Sequence, residues 1–248
     1  MKKVALITGG SRGIGAATAR YLANHGYAVA VNYKQNQIAA EQLVKELQDS
    51  GFEAIALQGD MSNEQQVINL FKTLDKALGR ITALVNNAGI LKPQMKVVEM
   101  TAERINQVLS TNVTSYFLCC REAVKRMSLT AGGFGGAIVN VSSVASRIGA
   151  AGEYVDYAAS KGAVDTLTTG LSIEVANESI RVNCVRPGFI KTSMHADGGE
   201  PDRVERLAPM IPMGRGGEPE EVAAAIAWLL SDEASYVTGS FIDLAGGK

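Results

Sequence analysis

Cysteine and histidine, which often hold metals or form cross-links, are scarce in this chain of 248 residues. It has two histidines and three cysteines, Cys119, Cys120 and Cys184. An odd number of cysteines without regular spacing does not make a disulfide framework, and no metal-ligand pattern is present. We therefore expect no metal site, and three reduced cysteines that are buried in the core.

A strong net charge and long apolar runs are also missing. The formal net charge is −1 at pH 7, which argues against the basic surface of a nucleic-acid-binding protein. No apolar run approaches the roughly 20 residues that span a bilayer. The first apolar run is broken early by Thr8-Gly9-Gly10, which excludes a secretory signal there. We expect a cytoplasmic protein without a membrane or nucleic-acid partner.

Short apolar runs alternate with longer amphipathic segments along almost the whole chain. Apolar strands separated by helices are typical of a parallel sheet that is covered on both faces. With right-handed crossovers, the pattern predicts an α/β fold in a single domain over residues 1–248, with a doubly wound parallel sheet of about seven strands. The predicted strands are 4–7, 28–31, 54–57, 83–85, 137–141, 180–185 and 241–244. The predicted helices are 13–24, 38–48, 65–77, 102–127, 157–175 and 220–230, and the aperiodic segment 191–218 is expected to be a binding loop.

A glycine-rich turn joins the first strand to the first helix, where the sequence TGGSRGIG occupies residues 8–15. Glycine allows a tight turn and a close approach of the backbone to a pyrophosphate. The helix N-terminus that follows offers unpaired N–H groups and the positive end of the helix dipole. The turn therefore predicts a nucleotide-phosphate site, in which the expected contacts are Gly9, Ser11, Arg12, Gly13, Ile14 and Gly15.

Three further motifs accompany this turn. The sequence NNAG follows the fourth strand at residues 86–89, Tyr157 and Lys161 form a Y-x-x-x-K pair, and Pro187-Gly188 follows the sixth strand. Together with the spacing T-G-x-x-x-G-x-G, they resemble the motifs of the short-chain dehydrogenase/reductase family. The resemblance covers residues 3–247 and extends to a bacterial subgroup related to glucose 1-dehydrogenases and 3-oxoacyl-(acyl-carrier-protein) reductases. It implies a Rossmann-like fold, an oxidoreductase that acts on CH–OH groups with NAD(P), and a homotetramer.

The charges after the second strand bear on the choice of cofactor. An NAD site usually carries an acid at the end of this strand, but here the strand ends in Asn32, Tyr33 and Lys34. Arg12 and Lys34 can both face a 2′-phosphate, where charge-assisted hydrogen bonds are strong; the alternative is that both are solvated surface charges. We predict NADP(H) rather than NAD(H). At this strand end we expect Asn32 and Lys34 to contact the cofactor. The resemblance adds two contacts at the adenine end, Asp60 and Met61.

Tyr157 and Lys161 are the candidates for proton transfer. Residues four apart on a helix share one face, and a nearby ammonium lowers the pKa of a tyrosine from its ordinary value near 10. Tyr157 can then act as the acid in reduction and the base in oxidation. The resemblance also assigns Lys161 to the nicotinamide ribose.

The resemblance supplies two further members of the catalytic group. Ser143 is expected to polarise the substrate carbonyl, with Ser142 as its rival, and Asn112 is expected to support a water relay to Lys161. Many relatives place the serine one residue closer to the tyrosine, so we expect residues 149–153 to form a loop that absorbs the extra residue. The remaining expected cofactor contacts lie near the nicotinamide: Asn87, Ala88, Gly89, Pro187, Gly188, Ile190 and Thr192.

The substrate is expected to be a small-molecule carbonyl or alcohol. Specificity should reside in residues 191–215 and 143–157, which favour no single chemistry, so a sugar, as in glucose 1-dehydrogenase, and a 3-oxoacyl thioester both remain open. His195 in the long loop is either a substrate contact or, more simply, a solvated histidine. A non-catalytic NADP(H)-sensing protein is a further alternative, but the presence of both Tyr157 and Lys161 counts against it.

A carrier-bound substrate would need a basic docking face on the protein. Arg121, Lys125 and Arg126 are the candidates for such a face, although an ordinary solvated helix face is the simpler interpretation.

Overall fold

Seven parallel strands form one sheet in the computed structural model, which describes residues 2–248. Their order is β3-β2-β1-β4-β5-β6-β7, so the chain reverses its direction of winding between β1 and β4. This confirms the predicted doubly wound sheet. The strands are β1 (Lys3–Ile7), β2 (Tyr27–Tyr33), β3 (Ala54–Gln58), β4 (Ala83–Asn86), β5 (Gly136–Val141), β6 (Ile180–Pro187) and β7 (Phe241–Leu244).

The helices connect successive strands and cover both faces of the sheet. They are α1 (Gly13–Asn24), α2 (Gln37–Asp49), α3 (Glu64–Ala77), α4 (Ala102–Leu109), α5 (Ser115–Met127), α6 (Ala145–Ile148), α7 (Val155–Glu174), α8 (Met194–Asp197), α9 (Arg203–Leu207) and α10 (Pro219–Leu230). Within residues 2–248, no helix is both long and apolar enough to cross a membrane.

Two of the predicted elements differ from the structure. The helix predicted over 102–127 is α4 and α5 joined by a π-helical turn, Ser110–Thr114, and such turns are frequent at functional sites. The segment 191–218 contains α8, α9 and a short 3₁₀ turn, Ala208–Met210. Helices of four or five residues are too short to show a hydrophobic period, which is why the sequence pattern did not reveal them.

Alternating side chains along the strands build two cores. In β1, Val4 and Leu6 pack with α3 and α5 on one face, whereas Ala5 and Ile7 pack with α1, α2 and α10 on the other. The strands therefore need apolar residues at nearly every position. Cys119, Cys120 and Cys184 are all buried and unpaired, as the composition predicted.

Candidate active site

The carboxyl ends of β1, β4, β5 and β6 meet at one edge of the sheet, where the winding reverses; ligands of open α/β sheets bind at such a point. A cleft of about 530 Å³ runs from the end of β2 across the glycine turn. It meets a second cavity of about 290 Å³ beside Tyr157. We refer to them as the cleft and the adjoining cavity. Their linings share Ile14, Asn87, Thr192 and Met194.

The glycine turn has the shape that a bound pyrophosphate requires. Gly9 has a φ of +59°, which side-chain-bearing residues rarely adopt. A Cβ on Gly15 would lie 2.6 Å from the Gly9 carbonyl oxygen and 2.7 Å from the Asn87 amide nitrogen. Arg12 occupies the position before α1 without a side-chain cap, so the first N–H groups of that helix remain available to an anion. The turn therefore fits the phosphates of a dinucleotide.

Thr8 holds the glycine turn against the loop after β4, a role that sequence reasoning missed. Its buried hydroxyl accepts hydrogen bonds from the backbone N–H groups of Asn87 and Ala88, each at 3.0 Å, and donates to the Val85 carbonyl at 3.4 Å. The Asn87 side chain returns two bonds, to the carbonyls of Thr8 and Gly9. Because Thr8 opens the T-G-x-x-x-G-x-G motif, its position in the motif was an available signal.

Asn32 was expected to contact the cofactor, but its side chain forms hydrogen bonds with the protein backbone. The buried amide accepts from Gly9 N at 3.2 Å and donates to the carbonyls of Leu57 and Gly59 at 3.2 and 3.0 Å. Its polar atoms are thus engaged with the glycine turn and the end of β3. The structure makes Asn32 a residue that positions the cleft wall rather than one whose amide is available to a ligand.

The two cations expected to face a 2′-phosphate both lie on the cleft, but neither is free. Lys34 forms an ion pair of 2.7 Å with Asp60. Arg12 forms one with Asp197 of α8 and donates to the Ser193 hydroxyl. Neither ion pair was predicted from the sequence, where the two alternatives were phosphate contacts and solvated charges. Asp197 is distant from Arg12 in the sequence, and Asp60 follows a different strand from Lys34.

The carboxylate of Asp60, expected at the adenine, is engaged by Lys34 and Ser62. Ser62 donates to it through its backbone N–H at 3.0 Å and its hydroxyl at 2.7 Å. Burial opposes ionisation, but the hydrogen bonds from Lys34 and Ser62 outweigh it and lower the pKa of Asp60. Met61 lies beside it, buried in the wall of the cleft.

Tyr157, Ser143 and Lys161 converge on the adjoining cavity. Lys161 is buried, and its ammonium donates to the Val141 carbonyl at 2.8 Å and to the Tyr116 hydroxyl at 3.4 Å. Its nitrogen lies 5.6 Å from the centre of the Tyr157 ring. The arrangement brings a phenol, a hydroxyl and an amine together at one end of the cleft.

The expected lowering of the tyrosine pKa is wrong for this structure. Burial raises the pKa of Tyr157 to about 12, and a hydrogen bond with Ser143 opposes this only in part. Burial also lowers the pKa of Lys161 to about 8. The physical reason is that removal from water disfavours both charged forms, while the ammonium is bonded to a backbone carbonyl rather than to the phenol. Tyr157 is therefore a neutral acid at neutral pH.

The two neighbouring serines have different surroundings. The buried Ser142 hydroxyl donates to the Lys161 backbone carbonyl at 3.1 Å. Ser143 is only partly buried, interacts with Tyr157, accepts from Ala145 N at 3.1 Å and donates to the Pro187 carbonyl at the longer distance of 3.4 Å. The geometry favours Ser143 as the serine available to a substrate. The segment 149–153, expected to form a loop, is a turn in which Gly149, Ala150 and Gly152 all have positive φ.

Asn112 lies in the π-helical turn and is fully buried. Its side chain accepts from Ile90 N at 2.8 Å and donates to Ile90 O and to the Ser160 hydroxyl. A Cβ on Gly89 would lie 3.5 Å from Asn112 Oδ1 and 3.7 Å from the Lys161 nitrogen. Asn112 is thus near Lys161, but its amide is engaged in holding the loop after β4, so the water relay stays a prediction.

The residues expected at the nicotinamide border the junction of the two cavities. Ala88 and Gly89 line the cleft, Pro187, Gly188 and Ile190 line the adjoining cavity, and Thr192 lines both. Gly188 must be small, because a Cβ there would lie 2.9 Å from the Ala245 Cα. Ile190 is buried and forms an isolated bridge with Gly217.

The segment 191–215, which we name the lid, covers the adjoining cavity. His195 lies half-buried in this cavity wall, where its Nε2 bonds the Ile190 carbonyl at 2.9 Å. Burial is the main cause that lowers its pKa. The interpretation as a solvated loop histidine is therefore wrong. Over residues 2–248, no group of three or more His, Cys, Asp or Glu is placed to hold a metal ion.

Comparison with known proteins agrees with this geometry. The family model described as enoyl-(acyl carrier protein) reductase matches residues 9–248. The chain is 68% identical over 245 residues to the uncharacterized oxidoreductase YgfF of Escherichia coli (strain K12), with 99% of each chain covered. The chain belongs to the short-chain dehydrogenase/reductase family. The resemblance in the sequence is confirmed, and the chain is an oxidoreductase that acts on CH–OH groups with a nicotinamide cofactor.

Two further members of the short-chain dehydrogenase/reductase family show the breadth of the match. A 3-oxoacyl-(acyl-carrier-protein) reductase of Synechocystis sp. is 41% identical over 246 residues, covering 99% of this chain and 96% of the relative. The crystal structure of a dehydrogenase/reductase from Sinorhizobium meliloti 1021 superposes with a TM-score of 0.91 at 32% identity, covering 99% of this chain and 94% of that one.

Proposed function

We propose that the protein reduces a ketone with NADP(H), and oxidises the alcohol in reverse, at the junction of the cleft and the adjoining cavity. The observation that carries this proposal is the convergence of Tyr157 and Ser143 on a cavity that opens into a phosphate-binding cleft. When bound, the cofactor supplies or accepts the hydride. The glycine turn would hold its phosphates, and Lys161 and Thr192 would hold its nicotinamide end.

The protein's own contribution is to orient the carbonyl and supply a proton. Ser143 would donate a hydrogen bond to the carbonyl oxygen, and Tyr157 would pass its phenolic proton to that oxygen as negative charge develops. A pKa of about 12 keeps the phenol protonated at neutral pH, which suits the direction of reduction. Lys161 would stabilise the phenolate that remains once its ammonium turns from the Val141 carbonyl towards the phenol, because a close ammonium favours the charged form.

Charge supports NADP(H) as the cofactor. The end of β2 carries no acid, while Arg12 and Lys34 border the cleft beside it. A 2′-phosphate can recruit Arg12 from a half-exposed ion pair and Lys34 from a partly exposed one, and such pairs are individually weak. The 2′-hydroxyl of NAD(H) carries no charge that could draw either cation away from its aspartate.

The lining of the adjoining cavity supports an apolar acyl substrate. Most ligand pockets place a few polar groups among apolar walls. Beside Ser143 and Tyr157, the cavity is lined by the apolar Leu91, Val144, Ile148, Phe189, Met194 and Leu207 and by the polar or charged Glu153, Tyr154, Lys161, His195, Arg203 and Lys248. Glu153 and Arg203 pair with each other and His195 bonds the Ile190 carbonyl, so these groups are already engaged, whereas a sugar would need hydrogen-bond partners around its whole ring. The relative from Synechocystis, named a 3-oxoacyl-(acyl-carrier-protein) reductase, supports the same choice. We propose a 3-oxoacyl thioester or a similar ketone as the substrate.

The predicted basic docking face on α5 gives no support for a carrier-bound substrate. Arg121 pairs with Glu64 and Glu122, Lys125 with Glu122, and Arg126 with Asp75 and Glu122. An acidic partner would have to compete with these carboxylates. We therefore expect the acyl group itself, rather than a carrier protein, to determine recognition.

NADPH consumption tests the proposal, with 3-oxoacyl thioesters on coenzyme A and on carrier protein, simple ketones and enoyl thioesters as substrates. NADH is assayed in parallel, and glucose oxidation by NADP⁺ serves as the reverse assay. We expect ketone reduction that prefers NADPH, with similar activity on the two thioesters. If glucose is the only substrate turned over, the acyl assignment is wrong. If only enoyl thioesters are turned over, the hydride acceptor is a C=C bond rather than a carbonyl. Tight NADPH binding without any turnover would favour the sensing protein.

We also propose that the chain is a single domain and forms a homotetramer. Strands from both ends of the chain join one sheet. The resemblance implies assembly through the helices over residues 102–127 and 157–175. On these helices Leu109, Phe117 and Ile173 are 38%, 51% and 76% exposed, although Tyr116, Cys119 and Cys120 are buried within the chain. Sedimentation should give the mass of a tetramer, and Phe117→Glu with Ile173→Glu should reduce it.

A further inference from the structure

We propose that Asp197 of the lid controls cofactor affinity by holding Arg12 until a 2′-phosphate takes its place. The proposal rests on the proposed use of NADP(H). It assigns a role to an acidic residue that contributes to neither the glycine turn nor the proton-transfer group. It also predicts that arrival of the cofactor is communicated to the lid.

The contact joins two parts of the active site that are far apart in sequence. Arg12 precedes α1 in the glycine turn, and its guanidinium reaches the Asp197 carboxylate and, at 3.1 Å, the Ser193 hydroxyl. Ser193 and Asp197 stand at the two ends of α8. All three residues line the cleft. The lid is thus attached to the same cation that the cofactor is expected to use.

The exposure of the pair makes an exchange of partners inexpensive. The side chains of Arg12 and Asp197 are 51% and 45% exposed, and exposed ion pairs contribute little to stability. A phosphate monoester carries more charge than a carboxylate and accepts bidentate bonds from a guanidinium. Asp197 also places a negative charge on the cleft beside the guanidinium that a phosphate would bind. It therefore disfavours NADP(H) until Arg12 changes partner.

Helix α8 is so short that a movement of Asp197 would also move residues that line the adjoining cavity. Met194 and His195 belong to the same four-residue helix as Asp197 and line the adjoining cavity. Release of Asp197 would leave α8 attached through the His195–Ile190 bond at 2.9 Å and the bond from the Tyr154 hydroxyl to Gly198 O at 3.2 Å. Cofactor binding would thereby loosen one end of the lid and shift the side chains that face the substrate.

Calorimetric titration of NADPH and NADH into the full-length protein tests the exchange. We expect Asp197→Asn to tighten NADPH binding about two- to five-fold, the equivalent of one exposed ion pair, and to leave NADH binding unchanged. Asp202→Asn is the matched control, because Asp202 is an exposed lid acid that loses the same charge away from Arg12. In an Arg12→Ala background, the effect of Asp197→Asn should disappear.

A second measurement follows the lid directly. Hydrogen exchange of residues 193–199 should increase when NADPH binds the wild-type protein, but not when NADH binds. Equal effects of Asp197→Asn and Asp202→Asn, or no NADPH-dependent exchange, would overturn the role of Asp197. Failure of the NADP(H) assignment is distinct: the wild-type protein would then bind both cofactors equally, and Arg12→Ala would change neither affinity.

Discussion

The Lys161 ammonium lies 5.6 Å from the centre of the Tyr157 ring, yet it donates to the Val141 carbonyl at 2.8 Å. The lysine is thus fixed by backbone from the neighbouring strand and not by the phenol beside it. Its burial lowers its pKa to about 8 from the ordinary 10.5. The protein therefore maintains an amine that is costly to charge at the position where proton transfer is expected.

Lys161→Met should increase stability at neutral pH while removing activity. Val141 O remains satisfied by the Tyr116 hydroxyl at 2.9 Å, and the desolvation cost of the ammonium disappears. In the folded protein the pKa of Lys161 is about 8, below its ordinary value of 10.5. Between pH 8 and pH 10.5 the unfolded chain therefore binds more protons than the folded protein, and the free energy of unfolding of the wild type increases with pH. The advantage of Lys161→Met should therefore be full below pH 8 and shrink towards pH 10.5. Denaturant unfolding of both proteins tests this, and an advantage that is constant with pH would contradict it.

Tyr157→Phe should lower kcat by about 10²–10⁴-fold, the usual contribution of a positioned acid. The affinity for NADPH should stay nearly unchanged, because the ring remains and only its hydroxyl is lost. Steady-state kinetics and calorimetric titration measure the two effects separately. Tyr33→Phe is the control, since Tyr33 lines the cleft but not the adjoining cavity. Retained turnover in Tyr157→Phe would remove this residue from proton transfer.

Substitution of Ser143 should mainly reduce activity, whereas substitution of Ser142 should mainly reduce stability. Ser143→Ala should lower kcat by about 10²-fold or more, as expected for loss of one preorganised donor. Ser142→Ala loses a buried bond to the Lys161 carbonyl and should cost about 1 kcal/mol of stability with most turnover retained. Kinetics and thermal unfolding of both variants decide the matter. The reverse pattern would make Ser142 the residue that contacts the substrate.

Thr8→Val should destabilise the protein and weaken NADPH binding. Its hydroxyl accepts from two backbone N–H groups, Asn87 and Ala88, and each buried donor left unpaired costs about 1–3 kcal/mol. Thr18→Val is the matched control, because the buried Thr18 hydroxyl only donates to Ile14 O within α1. Its cost should stay below about 1 kcal/mol. Similar losses in both variants, measured by denaturant unfolding, would show that Thr8 has no special role.

Gly15→Ala should reduce NADPH affinity by about 5- to 150-fold, because overpacking of this kind costs about 1–3 kcal/mol. The new Cβ would lie 2.6 Å from Gly9 O, so the phosphate turn must shift. Gly170→Ala in α7 meets no atom within 4 Å and should stabilise the helix by up to about 1 kcal/mol. Titration with NADPH tests the pair. Unchanged affinity in Gly15→Ala would show that the turn is not the phosphate site.

The sequence alone determined the order and type of the main elements and the location of the site. Alternation of apolar runs and amphipathic segments predicted the seven strands, because strands covered on both faces must be apolar throughout. The phosphate turn and the Tyr157–Lys161 pair could also be predicted, since each depends on residues that are close together in the sequence. These local patterns led to the family before any contact was known.

Only the tertiary structure decided how the charges and polar groups are paired. Arg12 with Asp197, Lys34 with Asp60, and the Asn32 amide with Gly59 join residues that different connections bring to one edge of the sheet. No local pattern encodes such partners. The upward shift of the Tyr157 pKa likewise depends on burial, and on the Val141 carbonyl that holds the Lys161 ammonium away from the phenol. The sequence identified the groups that face the active site, and long-range packing determined which of them remain free to act.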